Sequence, residues 1–466
     1  MIKIMPPGGF DASAPVAIVG AGAAGFCAAL SAHEAGAEIV VLERDSVPRG
    51  STALSAGLIP AAGTRFQRSL GIDDRPVLFA SDIQRKTQGE ADAAIVDIVT
   101  RESGPAVEWL ADRYGLPFSV VHDFDYPGHS ARRMHGLPSR CGTELINRLR
   151  QAADESAIPL VVNATVTALY AGSDQTIHGI EITRPDGAIE SLGCKALILA
   201  CNGYGGAADL VARHIPEMRG ATYFGHPGNR GDAVTWGEAL GAKLLHMSGY
   251  QGHGSVAHPH AVLVTWAVIM EGGFQVNRNG ARFSDESRGY SEQAAVVLAQ
   301  PNGIAFDIFD ERIAATARQF ADFRDAEAAG AVTEAPTIQH LAERLRLPAR
   351  ALAESFAEVE KAKLAGDRDR FGRSFLRIAP LSPPFKAVRV TGALFHTQGG
   401  LVVDREARVA DGQGAPLPNL FAAGGAAAGV SGSRASGYLS GNGLLTAIVL
   451  GRIAGRSAAD LVKGQK

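Results

Sequence analysis

The chain has 466 residues, of which 46% are hydrophobic and 20% are charged, and it contains 55 glycines. This composition is typical of a folded α/β protein and excludes a disordered or collagen-like chain. The formal net charge is -3 and no block of Lys or Arg occurs, so we expect no nucleic-acid partner.

The four cysteines, Cys27, Cys141, Cys194 and Cys201, have no CxxC spacing, so we predict neither a disulfide framework nor a metal site. No stretch reaches the ~20 apolar residues that a membrane span needs. No long apolar leader precedes the first predicted strand. We therefore expect a soluble, cytoplasmic protein without a membrane span.

The first predicted strand, residues 16–19, runs directly into a GxGxxG motif formed by Gly20, Gly22 and Gly25. Residues 26–42 then predict an Ala-rich helix and a second buried strand. In a β-α-β unit of this kind the first glycine permits the tight turn, the second lets the backbone approach a pyrophosphate, and the third lets the helix pack on the strand. The pattern predicts a dinucleotide-binding domain.

Glu43 ends the second predicted strand, 18 residues after the last glycine of the motif. A carboxylate at this position accepts hydrogen bonds from ribose hydroxyls and disfavours a 2′-phosphate. The motif does not distinguish NAD from FAD, so the nature of the dinucleotide depends on the rest of the chain.

Downstream, residues 50–57 predict a loop of small residues that a flat ligand can approach closely. Further elements follow in chain order. Helices are predicted at 75–115 and 143–155, and short strands at 160–166, 177–184, 188–192 and 196–200, before a second Gly-rich turn at 201–206.

At ~150 residues per domain, a chain of this length corresponds to about three domains. Residues 1–227 predict the N-terminal part of the dinucleotide-binding domain, and residues 228–385 predict a second domain. Within it a helix opens at Gly231-Asp232, residues 262–277 predict extended structure, and residues 306–365 predict helices. Predicted strands and glycine-rich turns occur again at 386–466, so we predict that this segment forms the C-terminal part of the dinucleotide-binding domain.

Taken together, these motifs resemble the flavoproteins related to fumarate reductase and succinate dehydrogenase, including 3-ketosteroid dehydrogenases of the Δ4-(5α) and Δ1 types. The resemblance covers nearly the whole chain. It implies a Rossmann-like FAD-binding domain of the glutathione-reductase type with an inserted α+β capping domain. Its marks are Gly20–Gly25 with Glu43, the loop 50–57, the turn 199–203, residues 280–286, residues 396–400, and Ala422-Ala423-Gly424.

The resemblance implies FAD as the cofactor. The loop 50–52 lacks the histidine that carries a covalent flavin in the respiratory enzymes, so we expect noncovalent FAD. Gly425 stands where the family usually has an acid. The residues implied to bind FAD are Gly20, Gly22, Ala23, Ala24, Gly25, Glu43, Arg44, Gly50, Ser51, Thr52, Ser55, Gly57, Val166, Ala200, Cys201, Asn202, Gly203, Gly424, Asn442, Gly443 and Leu444.

Two tyrosines occupy positions at which the fumarate reductases have arginines. Tyr290 stands at the position of the proton donor, and Tyr438, followed by Ser440, stands near that of the carboxylate clamp, as in ketosteroid dehydrogenases. A carboxylate needs a guanidinium fork, whereas a ketone oxygen that becomes an enolate needs neutral donors. The resemblance therefore implies an FAD-dependent dehydrogenase that introduces a C=C bond α,β to the ketone of a cyclic substrate.

The division of roles stays open at this point. Tyr438 is the expected carbonyl-polarising donor and Tyr290 or Ser440 the expected proton path, although the two tyrosines also suit a pocket wall and Ser440 also suits a helix cap. His253 and His396 resemble substrate-binding histidines of fumarate reductase, which favours a reductase of an unsaturated acid as an alternative. A further alternative is an electron-carrying flavoprotein without a substrate of its own.

Additional candidates for contacts with the substrate are Tyr126, Arg132, Arg133 and Arg434, with solvated surface expected for at least two of the arginines. The electron acceptor is not identifiable from the sequence. The expected partners are therefore a small cyclic ketone and an unidentified acceptor.

Overall fold

The computed structural model describes residues 1–6, 8–122 and 125–464 of the chain. The α-helices in it are α1 (Ala23–Glu34), α2 (Gly50–Ala53), α3 (Arg65–Ser69), α4 (Pro76–Thr87), α5 (Ala93–Tyr114), α6 (Gly142–Glu155), α7 (Ala208–His214), α8 (Asp232–Ala239), α9 (Ala267–Met270), α10 (Tyr290–Leu298), α11 (Glu311–Ala317), α12 (Ala321–Ala328), α13 (Ile338–Leu345), α14 (Ala349–Ala365) and α15 (Asn442–Gly464).

The strands are β1 (Ile2–Lys3), β2 (Ala12–Val19), β3 (Ile39–Leu42), β4 (Ile59–Pro60), β5 (Ser119–Val120), β6 (Met134–Gly136), β7 (Leu160–Val161), β8 (Thr165–Ala171), β9 (Ile177–Thr183), β10 (Ile189–Leu199), β11 (Thr222–Tyr223), β12 (Leu244–Leu245), β13 (Tyr250–Ala257), β14 (Val262–Leu263), β15 (Phe274–Asn277), β16 (Ile304–Asp310), β17 (Val332–Ala335), β18 (Phe385–Thr397), β19 (Gly400–Leu401), β20 (Arg408–Ala410) and β21 (Pro416–Ala422).

The chain forms two compact units. The first comprises Met1–Pro216, Phe224–Tyr250 and His396–Lys466, and the second comprises Glu217–Tyr223 and Gln251–Phe395. These limits differ from the predicted boundaries at 228 and 385. Residues 228–250 belong to the first unit because β12 pairs with β19. The second unit continues to Phe395 because β18 remains hydrogen-bonded to β16 beyond the predicted boundary.

The first unit is built on a sheet with the strand order β1-β8-β9-β10-β2-β3-β7, and β21 pairs with β10. The pairs of β10 with β2 and β21, and of β2 with β3, are parallel. The predicted β-α-β start is confirmed, with α1 between β2 and β3. Helix α15 lies close to α1, since a Cβ at Gly451 would be 2.5 Å from the carbonyl oxygen of Ala24.

The parallel register brings several strand ends to one edge of this sheet. Leu199, the last residue of β10, is paired with Val19 of β2 and with Ala422 of β21, and Val19 is paired with Leu42 of β3. The turns that follow these strands therefore begin at the same level, at the carboxyl ends of the strands. In open α/β sheets this edge is where ligands bind.

The second unit contains a mostly antiparallel sheet with the order β14-β13-β18-β16-β15, to which β11 and β17 add through β18. Two predictions are wrong in this region. The stretches 306–310 and 332–335, both inside the region predicted as helical, belong to strands β16 and β17, and the stretch 262–277 is interrupted by α9. The aspartates of β16 gave the segment a helical appearance, but both are buried, so their charge does not mark a solvated helix face.

Asp307 lies in the core of this sheet, fully buried. Its Oδ1 accepts a hydrogen bond from Gln275 Nε2 at 2.8 Å, and its Oδ2 accepts one from the hydroxyl of Ser255. Burial raises the pKa of this carboxyl to about 7. The carboxyl is therefore protonated in the folded state at pH values where it is ionised in the unfolded chain.

Asp307→Asn should remove a pH-dependent contribution to stability. A carboxyl whose pKa is raised on folding stabilises the fold below about pH 4, and this contribution is lost as the pH rises to about 7, by up to ~1.4 kcal/mol per pH unit. From pH 5 to pH 7 the free energy of unfolding of the variant should therefore gain about 2 kcal/mol relative to wild type. Denaturant unfolding at both pH values measures this, with the exposed Asp209→Asn as control. Parallel pH curves for wild type and Asp307→Asn would contradict the prediction.

Candidate functional site

The three glycines of the GxGxxG turn are needed for different structural reasons. Gly20 has a φ of 103°, and a Cβ there would lie 2.5 Å from the carbonyl oxygen of Ala200. A Cβ at Gly25 would clash with the carbonyl oxygen of Gly20. Gly22 is different, because the nearest atom to its hypothetical Cβ is the Thr52 hydroxyl oxygen at 3.5 Å. Gly20 and Gly25 thus serve the turn and the packing, and Gly22 leaves space.

The N-terminus of α1 is arranged for an anion. Its N-cap residue, Gly22, provides no side-chain cap, and the first turn carries no acid. The amide of Ala23 donates to the Thr52 hydroxyl at 3.0 Å. Ala24 and Gly25 follow in the same first turn, where amides lack intrahelical acceptors and the helix dipole favours negative charge. A pyrophosphate fits this position.

Glu43 is buried at the end of β3, next to this turn. Its Oε2 accepts the Ala21 amide at 2.9 Å and its Oε1 accepts the Asp45 amide at 3.1 Å. A carboxylate offers about four acceptor positions, so lone pairs remain for ribose hydroxyls. The next side chain, Arg44, pairs with Asp232 at 2.9 Å.

The small residues of the loop 50–57 are partly accounted for by contacts within the protein itself. Ser51 Oγ accepts a hydrogen bond from Asn229 Nδ2 at 2.8 Å, and Ser55 Oγ donates to the carbonyl oxygen of Thr52 at 2.7 Å. A Cβ at Gly57 would lie 2.6 Å from the Cys141 carbonyl oxygen, whereas no atom lies within 4 Å of a Cβ at Gly50. Of these positions, Gly50 is the one with empty space beside its Cα atom.

The turn after β10 contains Ala200, Cys201, Asn202 and Gly203. Asn202 has a φ of 67°, and its side-chain oxygen accepts the Gly203 amide at 2.8 Å. Gly424, in the turn after β21, has a φ of 60°. These residues lie at the sheet edge with the GxGxxG turn, whereas Val166 lies in β8 and Gly443 and Leu444 in the first turn of α15.

The residues at this edge fit FAD. They supply the N-terminus of α1 for the pyrophosphate and the buried carboxylate of Glu43 for the ribose. The start of α15 adds a buried acceptor, Asn442 Oδ1, that has no hydrogen-bond partner among the described residues. Asn442 is fully buried at the start of α15, so this oxygen requires a donor that the described chain does not provide.

His396 of the first unit is held by a chain of buried side chains. Its Nδ1 accepts a hydrogen bond from Gln398 Nε2 at 2.8 Å. The hydroxyl of Ser431 donates to Gln398 Oε1 at 2.8 Å, and Asn442 Nδ2 donates to Ser431 Oγ at 3.2 Å. Removal from water lowers the pKa of His396 to about 4, so the imidazole is neutral.

Tyr438 and Ser440 lie together in the segment before α15, with 6% and 5% of their surface exposed. The backbone oxygen of Ser440 accepts a hydrogen bond from His129 Nε2 at 3.0 Å. His129 also lines a cavity of about 440 Å³ in the first unit, together with Tyr126, Arg132 and Arg133. Through its backbone oxygen, Ser440 is therefore bonded to a histidine that lines a cavity of the size that small ligands occupy.

The candidate arginines are engaged by carboxylates. Arg133 is fully buried and binds Asp74 at 2.9 and 3.0 Å and Asp82 at 2.7 Å. Arg132 pairs with Asp125, and Arg434 pairs with Glu90, both at the surface. Two of the three arginines are thus solvated, as expected. None of these guanidinium groups is left without a carboxylate partner.

In the second unit the structure brings His253 and Tyr290 together. Their rings are stacked, with centroids 5.0 Å apart and an interplanar angle of 22°. Trp266 meets His253 edge-on at 5.5 Å, and Phe395 lies at 5.5 Å. Burial lowers the pKa of His253 to about 3, and the Ser255 amide donates to its Nδ1 at 3.1 Å, so the neutral ring carries its proton on Nε2.

Two arginines of the second unit are buried in ion pairs. Arg282 binds Glu286 at 2.7 Å and also binds Asp369. Arg373 lies 3.4 Å from Glu286 and donates to the backbone oxygens of Gly273 and Ile269. The charges of Arg282 and Glu286 are therefore neutralised within the unit.

Sequence reasoning missed Gln398, Ser431 and His129. Gln398 was detectable, because residues two apart in a strand share a face and Gln398 follows His396 by two positions near the end of β18. Ser431 and His129 carry no sequence signal. Each reaches its partner through tertiary packing, in the case of His129 across more than 300 residues.

The geometry agrees with known proteins. The family model described as FAD binding domain matches residues 15–444. A probable fumarate reductase of Shewanella frigidimarina (strain NCIMB 400) is 29% identical over 95% of this chain and 74% of its own length. Among solved structures, a flavocytochrome c3 fumarate reductase has a TM-score of 0.83 and 28% identity, covering 98% of this chain and 79% of that chain.

A 3-ketosteroid-Δ4-(5α)-dehydrogenase from Rhodococcus jostii RHA1 has a TM-score of 0.78 and 25% identity, covering 98% of this chain and 99% of that chain. These similarities confirm the predicted fold class, an α/β FAD-binding fold with a capping domain. Among the described residues, none of the helices is long and apolar enough to cross a membrane. The same part of the chain has no cluster of His, Cys, Asp or Glu suited to a metal ion.

Proposed function

The chain belongs to the FAD binding domain family and is an FAD-dependent oxidoreductase, and on this basis we propose that it dehydrogenates cyclic ketones. In this proposal it introduces a C=C bond α,β to the ketone of a 3-ketosteroid, a cyclohexanone or a related keto acid. The first unit binds FAD noncovalently, and the residues predicted for the cofactor and for catalysis carry the roles given to them above. The electron acceptor remains to be identified.

The neutrality of the candidate catalytic side chains carries the proposal. His253 and His396 are uncharged, Tyr290 and Tyr438 replace the arginines of fumarate reductases, and the arginines of the second unit described above are paired with carboxylates. A dicarboxylate loses its hydration on binding and needs cationic partners to offset that loss. A ketone needs only neutral hydrogen-bond donors and an apolar wall, which the ring cluster of His253, Trp266, Tyr290 and Phe395 supplies.

The residues then have the following roles. Tyr438 donates a hydrogen bond to the ketone oxygen, where negative charge develops, and this makes the α proton more acidic. Tyr290 or Ser440 lies in the path of that proton, its hydroxyl taking up the α proton as it passes its own proton on to solvent. FAD, when bound, supplies the acceptor for the β hydrogen as hydride.

The alternative function is reduction of an unsaturated carboxylic acid. It is supported by the similarity to a probable fumarate reductase and by the presence of His253 and His396. The two functions differ in the direction of electron flow and in the charge of the substrate. They are therefore separable by following the flavin itself.

Anaerobic mixing of the oxidised holoenzyme with saturated cyclic ketones tests the proposal. We expect ketones to bleach the visible flavin absorbance without added reductant, and succinate to leave it unchanged, because the proposed site has tyrosines in place of the two guanidinium groups that would bind its carboxylates. Prereduced enzyme should be reoxidised slowly by fumarate. Rapid reoxidation by fumarate, with no bleaching by any ketone, would establish the reductase instead.

A further inference from the structure

The hydrogen-bond chain at His396 has a definite direction. Gln398 Nε2 donates to His396 Nδ1, Ser431 donates to Gln398 Oε1, and Asn442 Nδ2 donates to Ser431. The reverse direction would leave buried hydrogens without an acceptor among the described residues, either the hydroxyl hydrogen of Ser431 or, with Asn442 turned over, its Nδ2 hydrogens. A buried N–H group without a partner is rarer and costlier than an acceptor in that state.

This direction determines the tautomer of His396. An imidazole nitrogen that accepts a hydrogen bond carries no proton, so in the neutral ring the proton is on Nε2. Gln398 and Ser431 are 3% and 0% exposed, so water does not compete for these hydrogen bonds. The Nε2 of His396 has no partner among the described residues, and His396 is only partly buried.

We propose that Gln398, supported by Ser431, is a positioning residue that holds His396 as a neutral donor, with its Nε2–H available to a carbonyl oxygen of the substrate. An amide can donate to Nδ1, whereas a carboxylate can only accept. A glutamate at position 398 would therefore force the proton onto Nδ1 and leave Nε2 as an acceptor. The identification of the carbonyl as the recognised group rests on the proposed function, but the tautomer does not.

The pKa of His396 is set by its burial and not by neighbouring charges. Removal from water is what lowers its pKa, and no charged side chain among the described residues adds to or offsets it. Gln398→Glu would introduce the first such charge, in direct contact with Nδ1. We therefore expect His396 to become easier to protonate in this variant, with a pKa in the neutral range.

The test is nitrogen NMR of the holoenzyme labelled with ¹⁵N-histidine, with the His396 signals assigned from the spectrum of His396→Asn. We expect wild type to show the Nε2–H tautomer without titration between pH 5 and pH 8. Gln398→Glu should shift the proton to Nδ1 and titrate within this range. Gln398→Met, which has a similar shape and no donor, should give a mixture of tautomers without a titration.

Binding of cyclohexanone to the anaerobically reduced holoenzyme, where no turnover follows, gives a second readout. Gln398→Glu should weaken it about tenfold at pH 8, because an acceptor then faces the carbonyl oxygen. A wild-type His396 with its proton on Nδ1, or signals unchanged in Gln398→Glu, would overturn the inference. The expected tautomers combined with an enzyme that no ketone reduces would instead reject the proposed function and leave the role of Gln398 intact.

Discussion

Tyr438→Phe should lower the turnover of a cyclic ketone about 100- to 1000-fold and leave FAD bound. The substitution deletes one hydroxyl and preserves the ring, which is 6% exposed in the segment before α15. In the proposed mechanism that hydroxyl stabilises charge that appears only in the transition state, and loss of one such donor costs about 100- to 1000-fold in rate. The rate of flavin reduction under anaerobic conditions measures the effect, and flavin absorbance per protein measures the occupancy.

A second tyrosine of the first unit provides the matched control. Tyr170 is 7% exposed in β8, and its hydroxyl donates to Glu181 at 3.3 Å, away from the predicted site residues of the turns described above. Tyr170→Phe therefore removes a comparably buried hydroxyl without touching the proposed reaction. Equal rates in Tyr438→Phe and Tyr170→Phe would show that Tyr438 is a wall residue, and the carbonyl donor would have to be sought elsewhere.

Glu43→Ala should weaken FAD binding by about 100-fold or more. Hydrogen bonds to a charged group contribute about 1.5–3 kcal/mol each, and the carboxylate can serve two ribose hydroxyls. The alanine variant also removes the acceptor of the Ala21 and Asp45 amides. Glu43→Gln keeps one oxygen acceptor, so its affinity for FAD should fall less, by about tenfold.

The affinity is measured by adding FAD to apoprotein prepared by acid release of the flavin, a step that itself requires noncovalent binding. Glu38→Ala, an exposed residue just before β3, serves as the control and should retain wild-type affinity. If Glu43→Ala bound FAD as tightly as this control, Glu43 would have no role in the cofactor site. A flavin that stays on the denatured protein would contradict the noncovalent part of the proposal.

The elements that the sequence predicted correctly are those whose signal is local. The unit from β2 to β3 follows from a strand, three glycines and a helix in direct succession, and α6 and α8 follow from apolar spacing and start signals. The stretch 306–310 was mispredicted because Asp307 is an acid inside a sheet. Its burial depends on Ser255 and Gln275, which lie on other strands.

For the candidate site, the sequence indicates residues but not the partners that hold them. His396 and Tyr438 stand in recognisable motifs, but the partners that fix His396 are contributed by separate stretches of the chain. The difference between the predicted boundary at 385 and the limit at Phe395 also arises from contacts between residues that are distant in sequence. The sequence marks Pro383-Pro384 as a break, whereas β18 pairs first with β16 and then with β11, and the second unit extends to Phe395. Local chemistry cannot reveal which strand a segment pairs with.

The buried group of Arg133, Asp74 and Asp82 has a consequence for the history of the chain. One guanidinium serves two carboxylates here, and all three side chains are withdrawn from water. Loss of Arg133 leaves Asp74 buried without its cation, while Asp82 keeps Arg85. Removing one partner of a buried ion pair costs about 3–5 kcal/mol, whereas joint replacement by apolar residues of similar volume is often neutral. Substitutions at the three positions should therefore be inherited together. Among relatives, a chain that lacks the arginine at position 133 should also lack the acids at positions 74 and 82.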